Sequence, residues 1–198
     1  IRYSASGENL GVFANTKGRP LGLDFDSAGN LIIADANKGL LQADKNGNIR
    51  ILATEINGTP LRFTDDVDIG PNGVIYFSDA SEKFGINNYR EDLFEHRPHG
   101  KILSYDPTMD KLTTLLDSLY FANGVAVEPN GNFLLFNETA TYEVSKLWLK
   151  GPKAGTREKI IINLPGFPDG ISTGSNGIYW IAIASTRNAV VDGLAGKP

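Results

Sequence analysis

The chain has 198 residues, a formal charge of −4 and no cysteine. With 41% hydrophobic and 21% charged residues it can bury a core. The lack of cysteine excludes disulfides, cysteine-ligated zinc and a thiol nucleophile. A pI near 5.2 without a basic run argues against nucleic acid as a main partner. No apolar stretch reaches the roughly 20 residues a membrane-spanning helix needs.

In chain order, Ile1–Tyr3 and Leu10–Ala14 read as a strand–turn–strand pair around Gly7. A unit then recurs four times, at Leu21–Asn30, Asp65–Gly73, Asn123–Gly131 and Asp169–Gly177. Each is a short alternating strand ending in a glycine- and asparagine-bearing turn suited to a hairpin. A near-continuous apolar run follows each turn: Leu31–Ala34, Val74–Phe77, Phe133–Phe136 and Ile178–Ile181. Such runs predict strands buried on both faces. Outer strands are predicted at Gly39–Ala43 with Asn48–Leu52, Lys101–Tyr105 with Lys111–Leu115, and Lys146–Leu149 with Glu158–Ile162.

The turn glycines Gly29, Gly73, Gly131 and Gly177 are spaced by 44, 58 and 46 residues. About four strands every ~45 residues is the signature of a β-propeller blade, so the expected class is an all-β propeller. The chain reads as a single partial propeller domain over residues 1–198, with units starting near 19, 63, 121 and 167. Four units do not obviously close a ring. Both ends read as cut from a longer protein, with missing blades or a second chain needed for closure. The longest interruption, about residues 81–98, reads as an insertion with a short helix over Asn87–Glu95, whose Tyr89 and Leu93 form an apolar face.

Eight residues before the turn glycines stand Leu21, Asp65, Asn123 and Asp169. Phe63, Phe121 and Phe167 precede the last three by two positions. In a propeller the first strand of each blade lines the axis, so equivalent positions face one another. Asp65, Asn123 and Asp169 are therefore candidate ligands for a hard divalent cation. Ca²⁺ suits them, with water supplying the rest of about six to eight oxygens, though another divalent metal is possible. The tandem Asp65-Asp66 leaves a one-residue ambiguity. The phenylalanines would wall an apolar substrate pocket, with Leu21 at its floor or wall.

The stretches Arg19–Leu23, Tyr76–Ser81, Phe121–Val125 and Pro165–Gly170 resemble the strictosidine synthase-like family, which sits with regucalcin, gluconolactonases and paraoxonases among calcium-dependent six-bladed propellers. The resemblance implies six blades in the parent, about four of them covered here. It implies Asp65, Asn123 and Asp169 as metal ligands, the first being Asn in most relatives. It also implies a further Glu ligand upstream of Ile1 and an insertion that covers the channel mouth. Two departures matter. Leu21 stands where paraoxonase-like enzymes carry a water-activating His. The Glu that true synthases use to condense an amine with an aldehyde belongs to a blade beyond Pro198.

Other signals are weaker. His96 is a candidate proton shuttle near the pocket, although His96 and His99 read more simply as loop residues. Gly170–Gly174 matches G-x-S-x-G but lies on a strand rather than a strand–helix elbow. Asp35, Asp79 and Asn137 each fall six residues after a turn glycine and read as ties between strands. Asn57 and Asn137 begin glycosylation triplets. The expected function is a metal-dependent hydrolase of lactones or aryl esters acting on a small-molecule substrate. The alternatives are a non-catalytic ligand- or protein-binding propeller and an amine–aldehyde condensing lyase.

Overall fold

The tight turns set the architecture. At the second, Gly73 takes φ of 78°, a left-handed conformation that glycine adopts without steric cost. Its N–H closes onto the Gly70 carbonyl at 2.8 Å and sends the chain back antiparallel. The computed structural model describes residues 1–195. Its strands are β1 (Pro20–Phe25), β2 (Leu31–Asp35), β3 (Gly39–Ala43), β4 (Ile49–Ala53), β5 (Glu55–Ile56), β6 (Thr59–Pro60), β7 (Thr64–Ile69) and β8 (Ile75–Asp79). After a helical insertion come β9 (Gly100–Asp106), β10 (Lys111–Leu119), β11 (Ala122–Val127), β12 (Phe133–Glu138), β13 (Glu143–Trp148), β14 (Arg157–Ile161), β15 (Gly166–Thr173) and β16 (Tyr179–Thr186). The insertion carries a 3₁₀ turn, Ile86–Asn88, and helix α1 (Tyr89–Glu95). Helix α2 (Ala189–Leu194) follows β16.

Strands β1 to β4, β7 to β10 and β11 to β14 form three four-stranded antiparallel sheets, each laid down in sequence order. Strands β15 and β16 pair as a fourth, two-stranded sheet, and β5 and β6 form a small ribbon. The first strands lie side by side, β1 against β7, β7 against β11 and β11 against β15. This is the arrangement of β-propeller blades whose first strands line the axis. The described residues do not close a ring.

Alternate residues of one strand serve two different cores, because side-chain direction flips at each step. On β9, Leu103 packs with Phe77, Ile32 and Leu40 between the first two blades. Its neighbour Ile102 packs with Phe136, Leu134 and Leu147 between the second and third. On β12, Leu134 joins that cluster, while Leu135 packs with Val144 and Ile171 toward the fourth. Both faces are buried, which is why these strands read as unbroken apolar runs. Each fully buried Phe or Leu contributes about 1.5–3 kcal/mol.

Carboxylates stitch the inner strands together. Asp24 accepts a hydrogen bond from Ile69 N at 3.2 Å, Asp66 from Val125 N at 2.9 Å and Asp68 from Val127 N at 2.7 Å. The approach is close enough that a Cβ on Gly124 would sit 2.4 Å from the Asp169 carbonyl oxygen, so only glycine fits there.

Several expectations need correction. The segment around Gly7 is not a pair of strands: a single bridge joins Tyr3 to Asn9, and most of the segment is exposed, with no third strand to pair against. The run at β16 is not buried on both faces. Trp180 is 68% exposed, because no blade covers that flank among the described residues, just as Phe25 is 65% exposed on the opposite flank. In the tail after β16, α2 forms, with Asn188 Oδ1 accepting from Val190 N at 2.8 Å. Residues 196–198 of that tail lie outside the described residues.

Asn137 does tie strands, donating from β12 to the Asp169 carbonyl on β15, but the place that Asp35 and Asp79 hold within their own blades is taken in the third by Glu138. Asp35 accepts from Arg19 N and Asp79 from Phe63 N, both at 2.8 Å. In register, Pro20 pairs with Asp35, Thr64 with Asp79 and Ala122 with Glu138. One extra residue in the third turn shifts the role by one position, and Glu138 accepts from Tyr120 N at 2.8 Å. Asn137 is fully buried, so its glycosylation triplet is inaccessible.

Candidate functional site

Asp65, Asn123 and Asp169 stand near the starts of β7, β11 and β15, the strands that line the axis. Their side chains line one cavity of about 630 Å³, together with Leu21, Phe63, Phe121 and Phe167. The same three residues also border a smaller recess, with Leu21, Gly22, Asp66 and Gly170. Residues 58 and 46 apart in the chain thus share one floor because consecutive blades present the same strand position to the axis.

The walls are aromatic. Phe63 and Phe121 meet edge to face, with ring centroids 5.3 Å apart. Phe121 holds a left-handed φ of 59°, an uncommon conformation for a bulky residue. Thr139 N donates to its carbonyl at 3.0 Å, and Glu138 fixes the preceding Tyr120 N–H. Tyr89 packs 6.5 Å from Phe121, and Ile86 and Leu93 join it, so the insertion roofs the cavity. Phe167 leans on Tyr142 at 4.9 Å.

Asp65 and Asp66 both border the smaller recess, but only Asp65 lines the main cavity. Asp66 accepts from its neighbour's amide, Val67 N, at 2.9 Å and from Val125 N in the next blade. Burial still pushes its carboxyl up to about 6, those amides pulling the other way. Asp65 is buried, and its carboxyl is pushed well above the usual range by desolvation first and then by the negative charges of Asp169, Asp66 and Asp79. Asp66 is thus occupied in structure, while Asp65 faces the cavity floor.

Two carboxylates and an amide oxygen at a common floor fit a hard cation, which would relieve the repulsion that raises Asp65. They are only three protein ligand groups, offering at most five oxygens. Among the described residues no group of three His, Cys, Asp or Glu surrounds a single point. Water, substrate or further protein oxygens would have to complete a shell of about six.

His96 lines a second cavity of about 330 Å³, with Thr141, Tyr142, Arg187 and Asp192, rather than the one that holds Asp65. It caps α1 with φ of 50° and stacks 5.0 Å from Tyr120. Burial lowers its pKa, which favours the neutral ring. Leu21 does line the main cavity, so no histidine stands on that lining among the described residues.

Three contributors were not legible as site residues. Asn137 Nδ2 donates to the main-chain carbonyl of Asp169, and Thr139 Oγ1 donates to that of Pro168 at 2.7 Å. Arg90 reaches the lining from α1. The only sequence signal for Asn137 was its place after the turn, which does not reveal a partner 32 residues away.

Strictosidine synthase is the family that matches residues 65–152. The chain is 40% identical over 186 residues to the strictosidine synthase-like 4 protein of Arabidopsis thaliana, covering 93% of this chain and 50% of that protein. It is 44% identical over 173 residues to strictosidine synthase-like 10 of the same plant, covering 86% and 46%. It is 35% identical to the adipocyte plasma membrane-associated protein of Rattus norvegicus over 192 residues, covering 92% and 51%. The chain spans about half the length of these relatives. Among solved structures, a gluconolactonase from Xanthomonas campestris superposes with a TM-score of 0.71 at 18% identity, covering 87% of this chain and 59% of that one. The calcium-binding protein regucalcin from Agrobacterium tumefaciens superposes at 0.63 and 19%, covering 83% and 53%. These likenesses establish the propeller fold, and the sequence matches place the chain in the strictosidine synthase-like family.

Proposed function

We propose that this propeller is a metal-dependent hydrolase of lactones or aryl esters. The observation that carries the reading is the shared floor of Asp65, Asn123 and Asp169 beneath an aromatic cavity. These three residues would hold Ca²⁺ or another divalent ion, which when bound supplies positive charge against a developing oxyanion. Phe63, Phe121 and Phe167 would exclude water and orient an apolar substrate body over the floor. The calcium-binding regucalcin neighbour supports a metal site, and the gluconolactonase neighbour a lactone substrate, both by analogy of fold.

A second reading, a non-catalytic binding propeller, is favoured by Leu21, which places carbon where a general base would be useful. Turnover separates the two. Phenyl acetate and a panel of lactones are assayed with and without chelator, in the wild type and in Asp169→Ala. Hydrolysis lost in both conditions supports the enzyme, whereas ligand binding without turnover supports the second reading. Activity indifferent to chelator and to Asp169→Ala removes the proposed mechanism.

A further inference from the structure

Among the described residues, Arg90 is the one cationic side chain on the lining of the main cavity. It sits on α1, the helix of the roof, and is exposed. It enters none of the ion pairs formed among the described residues. Its Nε donates instead to the Tyr89 hydroxyl at 3.3 Å, and its guanidinium lies 5.7 Å from the Tyr89 ring centroid. The charge is thus held at the edge of the aromatic wall without being neutralised by a carboxylate.

Most of the lining is apolar, Leu21, Phe63, Leu93, Phe94 and Phe121 among it, with Asn123, Thr139 and Ser185 adding uncharged polar groups. A polyhydroxylated ring finds fewer partners there than it has hydroxyls, and each one left unpaired weakens binding. An aryl or alkyl body gains about 25 cal/mol per Å² buried. We infer that the cavity takes an apolar-bodied ligand with an anionic group on the end remote from Asp65 and Asp169, and that Arg90 reads that group. Guanidinium suits this role because its paired N–H groups match a carboxylate edge to edge. The inference rests on the hydrolase reading for which end of the ligand meets the floor. It names substrates unlike a sugar lactone.

The test is binding, followed by calorimetry at fixed Ca²⁺. The probes are 4-acetamidobenzoate, whose acetyl group mimics an ester carbonyl and whose carboxylate lies at the far end, the neutral 4-acetamidobenzamide, and gluconate. The benzoate is expected to bind about tenfold more tightly than the benzamide, the size of one exposed charge-assisted contact, and more tightly than gluconate. Arg90→Gln should bring the two aromatic probes together by weakening the benzoate alone, and Arg90→Lys should keep part of the difference. The inference is overturned by a preference that survives Arg90→Gln, by equal binding of the two aromatic probes to the wild type, or by tighter binding of gluconate. Because no turnover is read, absence of ester hydrolysis would sink the hydrolase reading while leaving the Arg90 result standing.

Discussion

The carboxylate of Asp66 spans from the second blade to the third, accepting the Val125 amide at 2.9 Å, while Asp65 beside it turns to the cavity floor. Two adjacent aspartates therefore do opposite things to the fold. Asp66 satisfies the amides of Val67 and Val125. Asp65 is a buried charge beside Asp169, with burial and repulsion both opposing its ionisation.

That difference predicts substitutions of opposite sign. Asp66→Asn must turn an NH₂ toward one of the two amides it served and is expected to cost about 1–3 kcal/mol. Asp65→Asn removes the charge and keeps an oxygen, and should raise stability by about 1–2 kcal/mol in chelator at pH 7. Urea denaturation of the two variants checks this. A loss of stability in Asp65→Asn would show that Asp65 is paired in a way its surroundings do not reveal.

A cation at the floor should stabilise the fold by mass action. At a hundredfold excess over its Kd, Ca²⁺ contributes about 2.7 kcal/mol. For a chain of this size that is a rise in Tm of about 5–10 °C. Asp169→Ala should abolish the rise while retaining the melting transition. A wild type whose Tm ignores Ca²⁺, Mg²⁺ and Mn²⁺ alike would leave the floor without a metal.

Asn137 predicts a coupling between the third blade and the floor. It is fully buried, and its amide holds the backbone of Asp169. Asn137→Ala leaves that carbonyl without its donor, at about 1–3 kcal/mol. A purely structural role would lower Tm and leave cation affinity alone. A positioning role would weaken Ca²⁺ severalfold, measured by calorimetry at a temperature where the variant is folded. Asn137→Asp, which cannot donate when ionised, should weaken it further.

The blades were legible in the sequence because two local signals agree. A glycine-bearing turn and an apolar run repeat together, and each alone would be ambiguous. The alignment of Asp65, Asn123 and Asp169 followed from counting back from those glycines, since blade geometry converts equal sequence offset into shared position. Counting forward reached Asn137, which does tie strands, but missed Glu138, to which one added turn residue moved the tie within the blade. Counting back also picked Asp65 over Asp66, but the role of Asp66 was invisible, because it depends on an amide 59 residues on. His96 misled for a related reason: it follows the roof helix in sequence, but its left-handed φ turns the ring toward Tyr120 and the second cavity.

The roof predicts a pH dependence that can be read apart from the floor. Asp92 of α1 is buried and accepts the Ser81 hydroxyl at 2.5 Å, tying the insertion to the end of β8. Burial pushes its carboxyl up to about 6, with the Ser81 bond, His99 and Lys83 acting the other way and Glu95 adding to the rise. A carboxyl that holds its proton more tightly in the folded state stabilises the fold most below the unfolded value near 3.9. That contribution is lost as pH rises through about 6, because the fold must then bury an ionised group. The wild type should therefore lose stability relative to Asp92→Asn between pH 4 and pH 7, and the difference between them should level off above about pH 7. Urea midpoints at pH 4, 5, 6 and 7 measure it. Parallel curves for the two proteins across that range would mean that Asp92 titrates alike in the folded and unfolded chain, and that the roof is held by its apolar contacts alone.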